Sequence, residues 1–183
     1  MDAFDADEFD HYTTALLCGG PSRVVQIAVF TLYEERRVRI FRGTHRVEVV
    51  RREESGDPLL DAVLGEIPRI GRPLGQVIAA VAGSPEVAAI GEAMREAGLL
   101  RGRRLRPTRL GRTLRRTLAE RPGASQVERL AVLGPAGIED AKLREILESG
   151  DPKPVTLPRA RSRGRWNLEA SNLSDDQYGG GAY

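Results

Sequence analysis

Apolar positions along this chain recur first at helical spacing, then in alternation, then at helical spacing again, and the changes of period divide it into elements. From Glu8 to Leu17, Phe9, Tyr12, Leu16 and Leu17 share one helical face, and Gly19-Gly20 supplies the backbone freedom that ends a helix. Pro21 and Ser22 open a second helix, with Ser22 as the expected cap, whose stripe of Val24, Val25, Ala28, Val29 and Leu32 runs to about Arg36. At Val38 the period falls to two. Val38 and Ile40, a Gly43-Thr44 turn, then Val47 and Val49 predict a β-hairpin with charged residues on its other face.

Ser55 to Pro58 breaks the chain and starts a helix over Leu59, Leu60, Val63 and Leu64 that stops before Pro68. A further helix is expected from about Pro73 to Gly83, carrying Val77, Ile78 and Val81. Another follows from Ser84-Pro85 to Gly98, carrying Val87, Ile90 and Met94. Leu99 to Thr108 reads as a short strand or strand pair. Leu110, Leu114 and Leu118 mark an arginine-clad helix, and a last amphipathic helix runs from about Glu139 through Leu143, Ile146 and Leu147.

A shift of 62 residues superposes Ser22 on Ser84, Val25 on Val87, Leu32 on Met94, Glu34 on Glu96, Val38 on Leu100 and Arg39 on Arg101. Both copies read as helix, tight turn, strand. A helix followed by a hairpin closes a winged-helix unit, so the expected fold is mainly α with short β-hairpins (α+β), arranged as a tandem winged-helix-like domain over residues 8–150. Residues 1–7 are an acidic extension. Residues 151–183 pass from Pro152, Pro154 and Pro158 through Arg159, Arg161, Arg163 and Arg165 to a polar, glycine-rich end. With few groups to bury beyond Trp166, Leu168 and Leu173, that stretch does not offset its ordering entropy and is expected to be a disordered, flexible tail.

Composition narrows the function classes. Four Phe, four Tyr and one Trp leave a core of Leu, Val, Ile and Ala. The acidic start, with Asp2, Asp5, Asp7, Glu8 and Asp10, has the wrong sign for an export signal. The longest apolar run, Val24 to Tyr33, is broken by Gln26 and Thr31 and is too short to span a bilayer, so no membrane partner is expected. A single cysteine, Cys18, between apolar neighbours suits a buried thiol in a reducing cytoplasm.

The net charge of +2 hides an asymmetry: Arg101 to Arg121 holds nine arginines against one acid, Glu120. Of these, Arg101, Arg103, Arg104, Arg106, Arg109, Arg112, Arg115 and Arg116 are the candidate nucleic-acid contacts. Only Lys142 and Lys153 among the basic residues are lysines, so arginine-biased coding is the competing explanation for their density. The expected recognition helices, Ser22 to Arg36 and Pro85 to Ala97, carry Glu34, Glu35, Glu86, Glu92 and Glu96, which oppose DNA.

His11 and His45, the only histidines, lack neighbours at metal-ligand spacing, and no phosphate loop or nucleophile elbow is present. No catalysis, metal or cofactor is expected. The C-terminal stretch from Ser171, with three glycines between Tyr178 and Tyr183, has the low bulk to thread a narrow enzyme cleft.

The segments Leu16 to Val25, with its Gly-Gly-Pro junction, Glu92 to Leu100, and Val127 to Arg144, with the run Leu133-Gly-Pro-Ala-Gly-Ile-Glu-Asp140, resemble an uncharacterised actinobacterial family, the near-uncomplex domain, over about residues 8–147. Its members place a helical region before a Gly/Cys-rich low-complexity tail and usually carry membrane helices. This chain has neither the cysteines nor those helices. Similar proteins tend to be encoded beside peptide-modifying enzymes. The resemblance therefore implies a non-enzymatic leader or carrier whose tail is the substrate of a ribosomal peptide modification (RiPP) pathway. The modifiable residues would be Ser171, Asn172, Ser174, Asp175, Asp176, Tyr178 and Tyr183. A winged-helix-like DNA-binding regulator using the arginines is the alternative, and a protein-protein adaptor whose tail is bound unmodified is a third.

Overall fold

Most helices of the chain begin where a side chain accepts the free amides of the first turn. The computed structural model describes residues 10–149 and 151. Among them are eight α-helices and five short strands: α1 His11–Gly19, α2 Pro21–Glu34, β1 Val38–Phe41, β2 Arg46–Val49, α3 Pro58–Glu66, β3 Arg72–Pro73, α4 Leu74–Val81, α5 Pro85–Glu96, β4 Leu100–Arg101, β5 Arg106–Pro107, α6 Arg109–Glu120, α7 Gln126–Leu133 and α8 Ala141–Ser149. Mainly helical with short antiparallel strands, the chain is of the expected α+β class.

The first helix starts three residues later than the spacing predicts, because Asp10 is its cap and accepts the Thr13 amide at 2.7 Å. Ser22 is not a cap. Gly20, at φ 77°, both ends α1 and precedes Pro21 at the first position of α2, leaving Ser22 inside the helix. Helix α7 was not among the predicted elements, although Ser125 and Glu128 form a reciprocal capping box at its start. It is central to the packing, with Leu130 and Ala131 fully buried beside α1 and α2. At the middle lies α2, which buries Val24, Val25, Ile27, Ala28, Val29, Phe30 and Leu32 around most of its circumference.

The arginine-clad helix is α6, but rotated from the expected Leu110, Leu114, Leu118 stripe. Gly111, Leu114 and Leu118 are buried and Leu110 is 43% exposed. A Cβ on Gly111 would collide with the Leu99 carbonyl oxygen, so the helix approaches the strand through its glycine and turns Leu110 outward.

The 62-residue repeat has a structural counterpart. Arg36 donates to the Tyr33 carbonyl and Arg37 to that of Leu32; 62 residues on, Gly98 donates to Arg95 and Leu99 to Met94, all at 2.9–3.0 Å. Arg36 and Gly98 both take left-handed conformations, φ 57° and 70°. Each helix thus reverses by the same cap into an antiparallel hairpin. Both hairpins join their strands through four residues, the last of which, His45 or Leu105, is left-handed. The halves differ in one respect. Strand β2 also pairs with β3, a strand the spacing does not reveal, with Val47 opposite Arg72, whereas β5 has no third strand among the described residues. There Pro107 offers no amide and its carbonyl accepts Arg112 Nη1 at 3.2 Å.

Asp151, where the tail is expected to begin, is held on the domain. Its Oδ1 accepts the Gly75 amide at 2.7 Å and its Oδ2 the Gln76 amide at 3.2 Å, capping α4.

Candidate functional site: an arginine face beside a cysteine-lined groove

Among the described residues, most arginines outside the 101–116 segment bind their own protein. Arg23 donates to the Leu130 carbonyl, Arg46 to Ile70 and Gly71, Arg52 to Ile67, Arg129 to Ala124, and Arg144 to Ile138. Arg42 meets Asp140 at 3.1 Å and Arg129 meets Glu139 at 2.7 Å, while Arg72 pairs with Glu66 and Arg95 with Glu92. In the basic segment Arg112 alone among the described residues donates in this way, to the Pro107 carbonyl. Among the described residues, none of Arg101, Arg103, Arg104, Arg106, Arg109, Arg112, Arg115 and Arg116 has a carboxylate within 4.0 Å, and all eight are exposed.

Two of these arginines face each other. Arg101 and Arg106 are partners across the β4-β5 hairpin, a like-charge juxtaposition that costs stability when no anion lies between them. Arg103 and Arg104 occupy the connecting turn. Helix α6 continues the positive surface through Arg109, Arg112 and Arg116, spaced at i, i+3 and i+7.

Where α6 meets α1 and α7, a groove of about 480 Å³ is lined by Cys18, Arg112, Arg115, Arg116, Ala119 and Val132. Three guanidinium groups thus border an apolar wall. Burial pushes the Cys18 thiol above its ordinary value, with Arg115 and Arg23 pulling the other way. The thiol therefore stays protonated at neutral pH, although the side chain is partly exposed at the groove and not buried as the sequence led one to expect.

Behind the groove stands Arg23, a half-buried guanidinium that spacing arguments missed. Burial lowers its pKa from the ordinary arginine value. Gly19 and Gly134 flank it so tightly that a Cβ on either would overlap its side chain. Its bond to the Leu130 carbonyl places a cation near the C-terminal end of α7, where the helix dipole favours one. The Gly-Gly-Pro junction and the Leu-Gly-Pro-Ala-Gly run, far apart in sequence, therefore meet at this side chain. Their glycines were the available signal.

The expected recognition helices offer no basic surface for a nucleic-acid groove. Helix α2 is mostly interior, and α5 exposes Ala88, Ala89, Glu92, Ala93 and Glu96. His11 lies in the first turn of α1 against the Tyr12 ring at 4.2 Å, and His45 in the first hairpin, so the two are on separate elements. The tail residues Ser171, Asn172, Ser174, Asp175, Asp176, Tyr178 and Tyr183 lie outside the described residues.

No family model, curated protein or solved structure matches this chain. Among the described residues no single helix is long and apolar enough to cross a membrane; α4 and α5 together approach that length, but they bend by 51° and bury Val77, Val81, Val87 and Met94 in the core.

Proposed function

We propose that this chain is a non-enzymatic carrier, a tandem winged-helix-like domain that presents its C-terminal stretch, residues 166–183, to a peptide-modifying enzyme in the cytoplasm. The Asp151 clamp carries the reading. A carrier needs a fixed point from which its substrate segment departs, and two hydrogen bonds to the first turn of α4 supply one, 15 residues before the presented stretch begins at Trp166. The repeated helix, cap and hairpin support the winged-helix-like assignment, and the resemblance to near-uncomplex domains supports the pathway. Intact mass of the protein co-expressed with the enzymes encoded beside it tests the proposal. A mass shift confined to residues 166–183 is expected, and an unaltered tail in the presence of every such enzyme would refute it.

A second reading, a DNA-binding regulator, is favoured by the eight arginines without acidic partners. It would act through hairpin β4-β5 and α6 rather than through α2 or α5, whose surfaces are interior or acidic. Duplex affinity that falls steeply with salt and vanishes on charge reversal at Arg103, Arg104 and Arg109 would select it.

A further inference from the structure

We infer that the groove lined by Cys18, Arg112, Arg115 and Arg116 is the docking site of the chain's own acidic N-terminal segment, residues 2–8. The inference is independent of the carrier reading. Its first support is charge. Asp2, Asp5, Asp7 and Glu8 bring four carboxylates within seven residues, directly before the cap Asp10, while α6 lines the groove with three arginines that have no carboxylate partner among the described residues. Guanidinium and carboxylate are matched in geometry as well as sign.

Shape is the second support. Beside its arginines the groove offers Cys18, Ala119 and Val132, an apolar wall that a polyphosphate would leave uncovered. Phe4, set between acidic residues, provides a ring for it. A segment that alternates carboxylates with an aromatic group satisfies both linings at once, which favours an acidic peptide over a nucleic-acid backbone.

Reach is the third. Helix α1 joins the two parties, since Asp10 caps its start and Cys18 lies near its end. Eight residues of α-helix separate them by about 12 Å. The nine residues before Asp10 span up to about 30 Å when extended, enough to fold back along α1 and enter the groove. Such a tether holds the segment at an effective concentration on the order of millimolar, which favours it over the same segment of a second copy. The bound segment would neutralise part of the arginine face, so external polyanions would have to displace it.

Amide chemical shifts of residues 2–9 in the ¹⁵N-labelled full chain test this. They are expected to differ from those of an isolated peptide of residues 1–10. They should move to the peptide's positions at high salt and in the triple variant Arg112→Ala, Arg115→Ala, Arg116→Ala, whose changes fall at exposed positions. Unchanged α2 and α3 resonances establish that the variant is folded. Shifts identical to the free peptide in the unmodified chain would overturn the inference, as would shifts that persist in the triple variant. Differences that grow with protein concentration would assign the groove to the segment of a second copy and overturn the intramolecular form.

Discussion

The hydroxyl of Tyr12 donates to Oδ2 of Asp57 at 2.7 Å, while Oδ1 of the same carboxylate accepts the Leu59 amide at 2.8 Å. One side chain thus caps α3 and anchors α1, 45 residues away in sequence. Tyr12→Phe removes a hydrogen bond to a charged group and is expected to cost about 1.5–3 kcal/mol. The measurement is urea unfolding, where the midpoint should fall without a change in slope. Asp57→Ala should cost more, because it also strips the α3 cap and leaves the Tyr12 hydroxyl without its acceptor.

The same contact makes stability depend on alkali. Burial first, then the Asp57 hydrogen bond and the charges of Asp57, Asp10 and Glu35, hold the Tyr12 phenol above the ordinary tyrosine value of 10.0. A raised folded value means that folding favours the protonated phenol. Its contribution is fully present below the unfolded value and is lost as pH rises beyond it. The free energy of unfolding should therefore drop from about pH 10 upward, and the drop should be smaller in Tyr12→Phe. Equal alkaline slopes in the two proteins would exclude this assignment.

Two helical glycines should respond in opposite ways to alanine. At Gly111 a Cβ would strike the Leu99 carbonyl oxygen, so Gly111→Ala is expected to destabilise by about 1–3 kcal/mol despite its better helix propensity. Gly65, in α3, has nothing within 4 Å of the added carbon. Gly65→Ala should stabilise by about 0.4–1 kcal/mol. Thermal unfolding of the pair reads both signs.

Asp151→Ala should cost about 0.5–2 kcal/mol, the range for loss of a helix cap. Hydrogen exchange locates the effect: the Gly75 and Gln76 amides should lose protection first, ahead of those in α2. Uniform loss across the domain would show that the clamp is not local.

Much of the fold was legible in the sequence because its helices carry their own punctuation. Ser84-Pro85 and Gly98 bracket α5, and the alternation from Val38 to Val49 announces the first hairpin. Errors came where tertiary contact overrides local pattern. The face of α6 is set by the close approach of Gly111 to Leu99, which a stripe of leucines does not reveal. Helix α7 spans only Gln126–Leu133, too short for its periodicity to stand out, although its capping box was readable. The two residues of β3 carry no pattern at all. For the site, the arginines were visible in the sequence but their lack of acidic partners was not, since ion pairing depends on what the fold brings near.

Strand β3 has a consequence for how this protein can be divided. The first hairpin belongs to one half of the repeat, yet its sheet is completed by residues that lie between α3 and α4 of the other. Two halves stitched in this way are not interchangeable modules. A chain cut at the exposed Gly56 would leave the first fragment with an open sheet edge that only the second can close, so the halves should recover their structure as a mixture and not singly.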